Sequence, residues 1–224
     1  MNAERNYLAL IGDVTQSRRL RERDVFQRKL LKLLEELNKE ASTALSGPLT
    51  LTAGDEIQGL LAKPAEVVPL LSRLAEGLFP VRIVYGLGFG PLSTELLPLP
   101  TVMDGPCFHQ ARACLTRARK QKKWVAFGGF GEPFDQVIEN FFDLISVVRS
   151  RWTETQAKYV TTARQVTQKA VAGQFKVHRS VVSESLKAAR FAALRDAERA
   201  LEAFVLWLAK NAEQARGSVK MAIS

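Results

Sequence analysis

The chain has 224 residues, 46% of them hydrophobic and 25% charged, with two cysteines and a net charge of +9. That length and apolar content suffice for one large domain or two small ones, and exclude a disordered or disulfide-built chain. No apolar run approaches the ~20 residues that cross a bilayer, and Met1 to Asn6 lacks the apolar region of a signal peptide, so a cytoplasmic protein without membrane contact is expected.

The charge is unevenly placed. Residues 1–146 hold 18 Lys and Arg against 17 Asp and Glu, whereas residues 147–224 hold 14 against 6. The basic third also shows helical periodicity, which favours a folded domain with an acidic partner, duplex DNA above all, over a basic tail.

In chain order, Tyr7 to Asp13 (YLALIGD) reads as an apolar strand that ends on an aspartate. A polar, basic turn follows. Val25, Phe26, Leu30, Leu33, Leu34, Leu37 and Ala41 then recur at spacings of three and four and predict an amphipathic helix. Gly47-Pro48 stops the connection. Leu49 to Leu61 (LTLTAGDEIQGLL) reads as strand, two-residue turn, strand, with the turn presenting Asp55 and Glu56. Taken alone, Gly54-Asp55 is an ordinary hairpin signal.

Pro64 opens a second helix through Val67, Val68, Leu71 and Leu74. Pro80 precedes a strand, Val81 to Phe89, whose Gly86 and Gly88, with Gly90 just beyond, indicate either a bulge or the close approach of a backbone or bound group. A proline-rich loop leads to Gly105-Pro106, a helix to about Lys120, and a short strand from Trp124 to Phe127. Cys107 and Cys114 sit in that helix, while His109 and His178 lie in different segments, so no four-ligand zinc site is expected and both thiols read as reduced and buried.

This order of elements predicts an α+β domain over residues 1–131, a ferredoxin-like split β-α-β with an antiparallel sheet covered on one face by helices. The first strand would lie beside the hairpin, bringing Asp13 towards Asp55. Two carboxylates about 4 Å apart repel by about 4 kcal/mol at an effective dielectric of about 20, so the pair calls for a cation, most simply Mg2+ or Mn2+. The turn holding Ser17, Arg18 and Arg19 suits a triphosphate.

Four segments carry a resemblance: GDVTQSR at 12–18, TAGDEIQGLL at 52–61, VRIVYGLGFG at 81–90 and GPCFHQARACL at 105–115. They resemble the successive blocks of the SatD family over nearly the whole chain. More distantly, residues 7–128 are similar to the palm-like domain of class III nucleotidyl cyclases and GGDEF proteins. That resemblance implies a purine nucleoside triphosphate or second messenger as ligand, with Asp13 and Asp55 as metal ligands, Val14, Ser17, Arg18 and Glu56 around the nucleotide, and Arg112 as the catalytic arginine. Cyclases carry an asparagine four residues before that arginine. Here the position is Phe108, which has no side-chain hydrogen-bond donor.

Pro133 starts a connector helix, assigned to residues 132–152, in which Phe134, Ile138, Phe141, Ile145, Val148 and Trp152 form a narrow seam suited to an interdomain or dimer contact. Residues 153–224 read as an all-α domain. Within it Thr167 is a fair N-cap, Ala170, Val171 and Phe175 give one helix an apolar face, and a second helix runs from Arg179 with Val182 and Leu186 inward. The spacing resembles a helix-turn-helix, with Lys176 where the turn glycine is usual. Thr167, Gln168, Arg179, Ser180, Ser183, Glu184 and Lys187 are the groups expected to face DNA. Leu194, Ala197, Leu201, Phe204 and Leu208 predict a last packing helix, and Arg216 to Ser224 reads as frayed.

Two functions fit. One is a homodimeric DNA-binding transcriptional regulator with a nucleotide- and metal-binding sensor; the other is a metal-dependent nucleotidyl cyclase or nucleotidyltransferase governed by its helical part. A third, plainer role is dimerisation alone, with the acidic pair binding no metal.

Overall fold

Tyr7 to Ile11 form the middle of the central strand of a five-stranded sheet. The computed structural model describes residues 5–15, 22–52 and 55–223, with residues 213–223 as backbone alone. The strands are β1 (Asn6–Val14), β2 (Leu45–Leu51), β3 (Glu56–Leu61), β4 (Ile83–Pro91) and β5 (Val125–Gly128), in the order β2-β3-β1-β4-β5. β1 pairs antiparallel with β3 and β4, and β3 with β2, but β5 runs parallel to β4. The sheet is therefore mixed where an antiparallel one was expected. The helix between β4 and β5 crosses back over the sheet, and such a crossover returns the chain in the same direction.

Helices cover both faces, which corrects the expectation of a single covered face. Leu8 and Leu10 of β1 pack with α1 (Arg23–Glu40) and α2 (Val67–Gly77), whereas Tyr7, Ala9 and Ile11 pack with α3 (Pro106–Gln121). A strand buried on both faces reads as a continuous apolar run, and YLALI is one. The glycines of β4 allow α3 to come close. A Cβ on Gly86 would lie 2.1 Å from the Ala111 carbonyl oxygen, and one on Gly88 2.1 Å from that of Cys107. Of the alternatives open in the sequence, the close approach is that of a helix backbone.

The hairpin also differs from expectation. Gly47 and Pro48 lie inside β2, whose pairing with β3 shifts register on either side of Gly47, as an edge strand tolerates. Thr52 ends the pairing by donating its N–H to the Glu56 carbonyl at 2.8 Å. Four residues thus separate the strands instead of two, with Ala53 and Gly54 outside the described residues, and Glu56 opens β3 directly opposite Asp13.

α4 (Phe134–Arg149) leads from the sheet into the helices α5 (Glu154–Ala163), α6 (Gln168–Gln174), α7 (Arg179–Ala188) and α8 (Phe191–Ile223). One apolar core runs from the α1 and α2 face of the sheet through Ile138, Phe142 and Trp152 to Val160, Val171, Leu186 and Leu201. The buried stripe of α4 is Ile138, Phe142, Ile145 and Arg149, so Phe142 takes the place expected of Phe141, and Leu144 and Val147 face outward. The strict heptad seam drifts around a straight helix, and burial follows the 3.6-residue period instead. Thr153 begins α5 with a reciprocal capping box to Gln156, Thr167 caps α6 through the Ala170 N–H, and Lys176 turns the chain between α6 and α7 with φ of 54°. The helical backbone of α8 continues past Arg216, where a frayed end was expected. Among the described residues no helix is long and apolar enough to cross a membrane.

Candidate functional site

Side chains alternate along a strand, so Ile11 enters the α3-side core and Asp13, two residues on, emerges at the end of the same face. The register places Glu56 opposite it, and the Val14 N–H reaches the Asp55 carbonyl at 3.3 Å. The backbone positions of Asp13, Asp55 and Glu56 thus lie together at one end of the sheet.

Their charges are compensated by guanidinium groups. Arg119 lies 2.7 Å from Asp13, Arg23 3.1 Å from Asp55, and Arg112 donates through both terminal nitrogens to the two oxygens of Glu56. Gln58 adds a bond to Glu56 at 2.9 Å. The hydrogen bond from Arg112 holds the Glu56 carboxyl below its usual pKa against the opposing effect of burial, helped by Gln58 and by the charges of Arg112 and Arg119. Three carboxylates against three arginines leave the cluster neutral, which answers the repulsion that the sequence raised.

The donors fit a hard divalent cation by type, since Mg2+ takes one or two protein carboxylates and completes its shell with water and phosphate oxygens. Among the described residues, however, no three His, Cys, Asp or Glu side chains converge in metal-holding geometry. Arg119 at Asp13 Oδ1 and Arg23 at both oxygens of Asp55 would compete with such an ion.

The other expected residues separate clearly. Val14 is 3% exposed and belongs to the core, with its N–H already bonded, so it offers a ligand no side chain. Ser17 and Arg18 lie outside the described residues. Arg112 sits half exposed on α3 and pairs with Glu56, while Asp104 pairs with exposed His109 at 2.8 Å. Phe108 is buried against the sheet with Tyr7 and Ile11. Cys107 and Cys114 are free and buried, and burial pushes both thiols up to about 11. Arg119 and Arg23 were missed in the sequence. Arg119 follows Arg112 by seven residues, two helical turns on the same face, and that spacing was the available signal; Arg23 has no comparable one.

In the helical part, Val182 and Leu186 of α7 are buried, while Arg179, Ser180, Glu184 and Lys187 are exposed and Ser183 is half-buried. Thr167 is exposed and Gln168 half-buried at the start of α6. Glu184 and Lys187 pair with each other at 2.8 Å, and Ser180 bonds the His178 ring at 2.9 Å.

Fold and site together define an α+β protein, a split β-α-β sheet extended by a parallel strand, with an acid and arginine cluster at one sheet end and a cap of helices. A family model described as the SatD family matches residues 7–203, so the chain belongs to the SatD family, as its four segments implied. No curated protein matches the chain. Among solved structures, two of a bacterial light-regulated adenylyl cyclase are similar, each at 14% identity. One has a TM-score of 0.40 and covers 56% of this chain and 76% of its own; the other has 0.38 and covers 55% and 42%.

Proposed function

We propose that this chain is a DNA-binding transcriptional regulator in which α6 and α7 act as a helix-turn-helix and the acid and arginine cluster senses a nucleotide. The observation that carries the reading is α7. Val182 and Leu186 anchor it inward, while Arg179, Ser180, Glu184 and Lys187, flanked by Ser183, form an outward row of phosphate-binding and hydrogen-bonding groups. Thr167 and Gln168 at the start of α6 stand where backbone phosphates are met in such motifs. The +8 charge of residues 147–224 supplies the sequence-independent attraction. A homodimer reading paired half-sites is the expected assembly.

At the cluster, the phosphates of a purine nucleoside triphosphate or second messenger suit Arg112 and Arg119, with Asp13 and Asp55 released to hold Mg2+ or Mn2+. Bound there, the ion would neutralise phosphate charge. Arg112 favours a second reading, a nucleotidyl cyclase or nucleotidyltransferase, because it is half exposed beside the strand end of Asp13. Phe108 opposes it, since a buried phenyl ring offers a transition state no hydrogen bond.

Gel shifts with duplex DNA across a salt series test the first reading. Affinity is expected to fall steeply with salt, and Arg179→Ala or Lys187→Ala to reduce the slope by about 1 for each phosphate that is no longer neutralised. No duplex binding at low salt ends it. Incubation with each nucleoside triphosphate and Mn2+, with Asp55→Ala as control, tests the second: product formed only by the unaltered chain establishes turnover.

A further inference from the structure

α4 carries more apolar residues than the core takes. Its buried stripe is Ile138, Phe142, Ile145 and Arg149, yet Phe134, Val137, Phe141, Leu144 and Val148 form a second row at alternating spacings of three and four. Leu144 is 66% and Val147 beside it 53% exposed, Phe134 and Val137 are exposed, and Phe141 and Val148 are half-buried. Phe134 links the row to α8: the Phe204 ring lies 6.3 Å from it, and Trp207, 55% exposed, stacks on Phe204 at 6.5 Å. The whole strip bares on the order of 500 Å² of apolar surface, near the top of the range of about 300–600 Å² for the largest patch on a monomer.

The row has the form of a helix-packing seam, since a strict alternation of three and four keeps one edge of a helix against a partner helix. What surrounds it selects the partner. Its exposed neighbours, Gln136 and Asn140 on α4 and Ala200 and Ala203 on α8, are uncharged, on a chain of net charge +9. That net charge opposes the approach of two copies, and this strip adds nothing to the repulsion. Exposed Glu132 and Arg151 stand just beyond the two ends of the row, and neither has an ion pair among the described residues. Phe141 lies midway between them, so a second copy turned end for end sets opposite charges together at both ends of one self-complementary contact.

We propose that this strip is the contact surface of a homodimer in which the α4 helices of two copies lie antiparallel about a two-fold axis near Phe141. Glu132 then faces the partner's Arg151 at each end. With its polar rim the strip approaches the area of about 800 Å² per partner that a stable contact buries. The surface is argued from α4 and α8 alone, so it holds whether or not α7 reads DNA.

Analytical ultracentrifugation of the full chain without DNA tests this, over about 1 to about 100 µM because assembly follows mass action. The mass is expected to rise towards twice the 24.9 kDa of one copy. Leu144→Glu, at an exposed position that the fold does not need, is expected to weaken the dimer about 100-fold by placing an unpaired charge in the contact. Leu31→Glu, on the exposed face of α1, should leave it unchanged. Glu132→Lys should weaken the dimer about five-fold by setting like charges together at both ends, and Arg151→Glu in the same chain should restore it. Far-ultraviolet circular dichroism checks that each variant keeps its helices. A single-copy mass at the highest concentration, an undiminished dimer in Leu144→Glu, an equal loss in Leu31→Glu, or a double variant no stronger than Glu132→Lys overturns the proposal.

Discussion

Glu56 shows at the scale of one residue how the cluster is built. Its carboxylate takes both terminal nitrogens of Arg112 and the amide of Gln58, and its pKa is held below 4.5 chiefly by the Arg112 bond. A carboxylate with a folded pKa below its unfolded one contributes stability that is fully present above the unfolded value, and loses it as pH falls through the folded value. Glu56→Gln is therefore expected to cost about 0.5–1 kcal/mol at neutral pH, a small amount because Arg112 is half exposed and solvent screens the pair. Urea denaturation of both proteins at pH 7 and at steps below about 4.5 should show the difference shrinking as Glu56 protonates. A difference that grows on acidification would assign the stabilising role to another group.

At the scale of elements, the contact between β4 and α3 positions the arginines. Gly88→Ala would place a Cβ 2.1 Å from the Cys107 carbonyl oxygen, a backbone atom that no rotamer change relieves. A loss of more than about 3 kcal/mol or failure to fold is expected, read by denaturant unfolding or soluble yield. Gly131→Ala meets no atom within 4 Å, though its φ of 84° adds strain, and is expected to cost far less. Much of this level was legible in the sequence: YLALI gave a buried strand, the Leu30 to Leu37 spacing a helix, and the alternation up to Asp13 placed an acid at the sheet end near Asp55. The partners of those acids were not legible. Arg119 and Arg23 come from helices whose rotation over the sheet is set by tertiary packing, and local spacing does not encode which guanidinium meets which carboxylate. The parallel pairing of β5 was hidden for a similar reason, since strand direction follows from where α3 lies and not from four residues of apolar sequence.

At the scale of the whole molecule, Glu76 of α2, Arg149 of α4, Arg164 after α5 and Glu198 of α8 form a buried quartet between the sheet layer and the helices, with Ser72 donating to Glu198 at 2.8 Å. Removing one member leaves buried charge uncompensated. Glu198→Ala is expected to cost about 3–5 kcal/mol. Because the apolar core also continues across this boundary, far-ultraviolet circular dichroism and tryptophan fluorescence should report one coincident unfolding transition in urea. Two separated transitions would show that the sheet and the helices fold independently.

The outer rims of the sheet have a consequence for how this molecule meets others. On one side β2 contains Pro48, which has no N–H to give, and its register is broken around Gly47; on the other, β5 is four residues long. Neither offers the long, flat row of unpaired amides and carbonyls on which a foreign strand can grow. A foreign strand, from a second copy or an unrelated chain, therefore finds no ready edge on this sheet, and edge-to-edge growth into fibres is disfavoured for the folded protein.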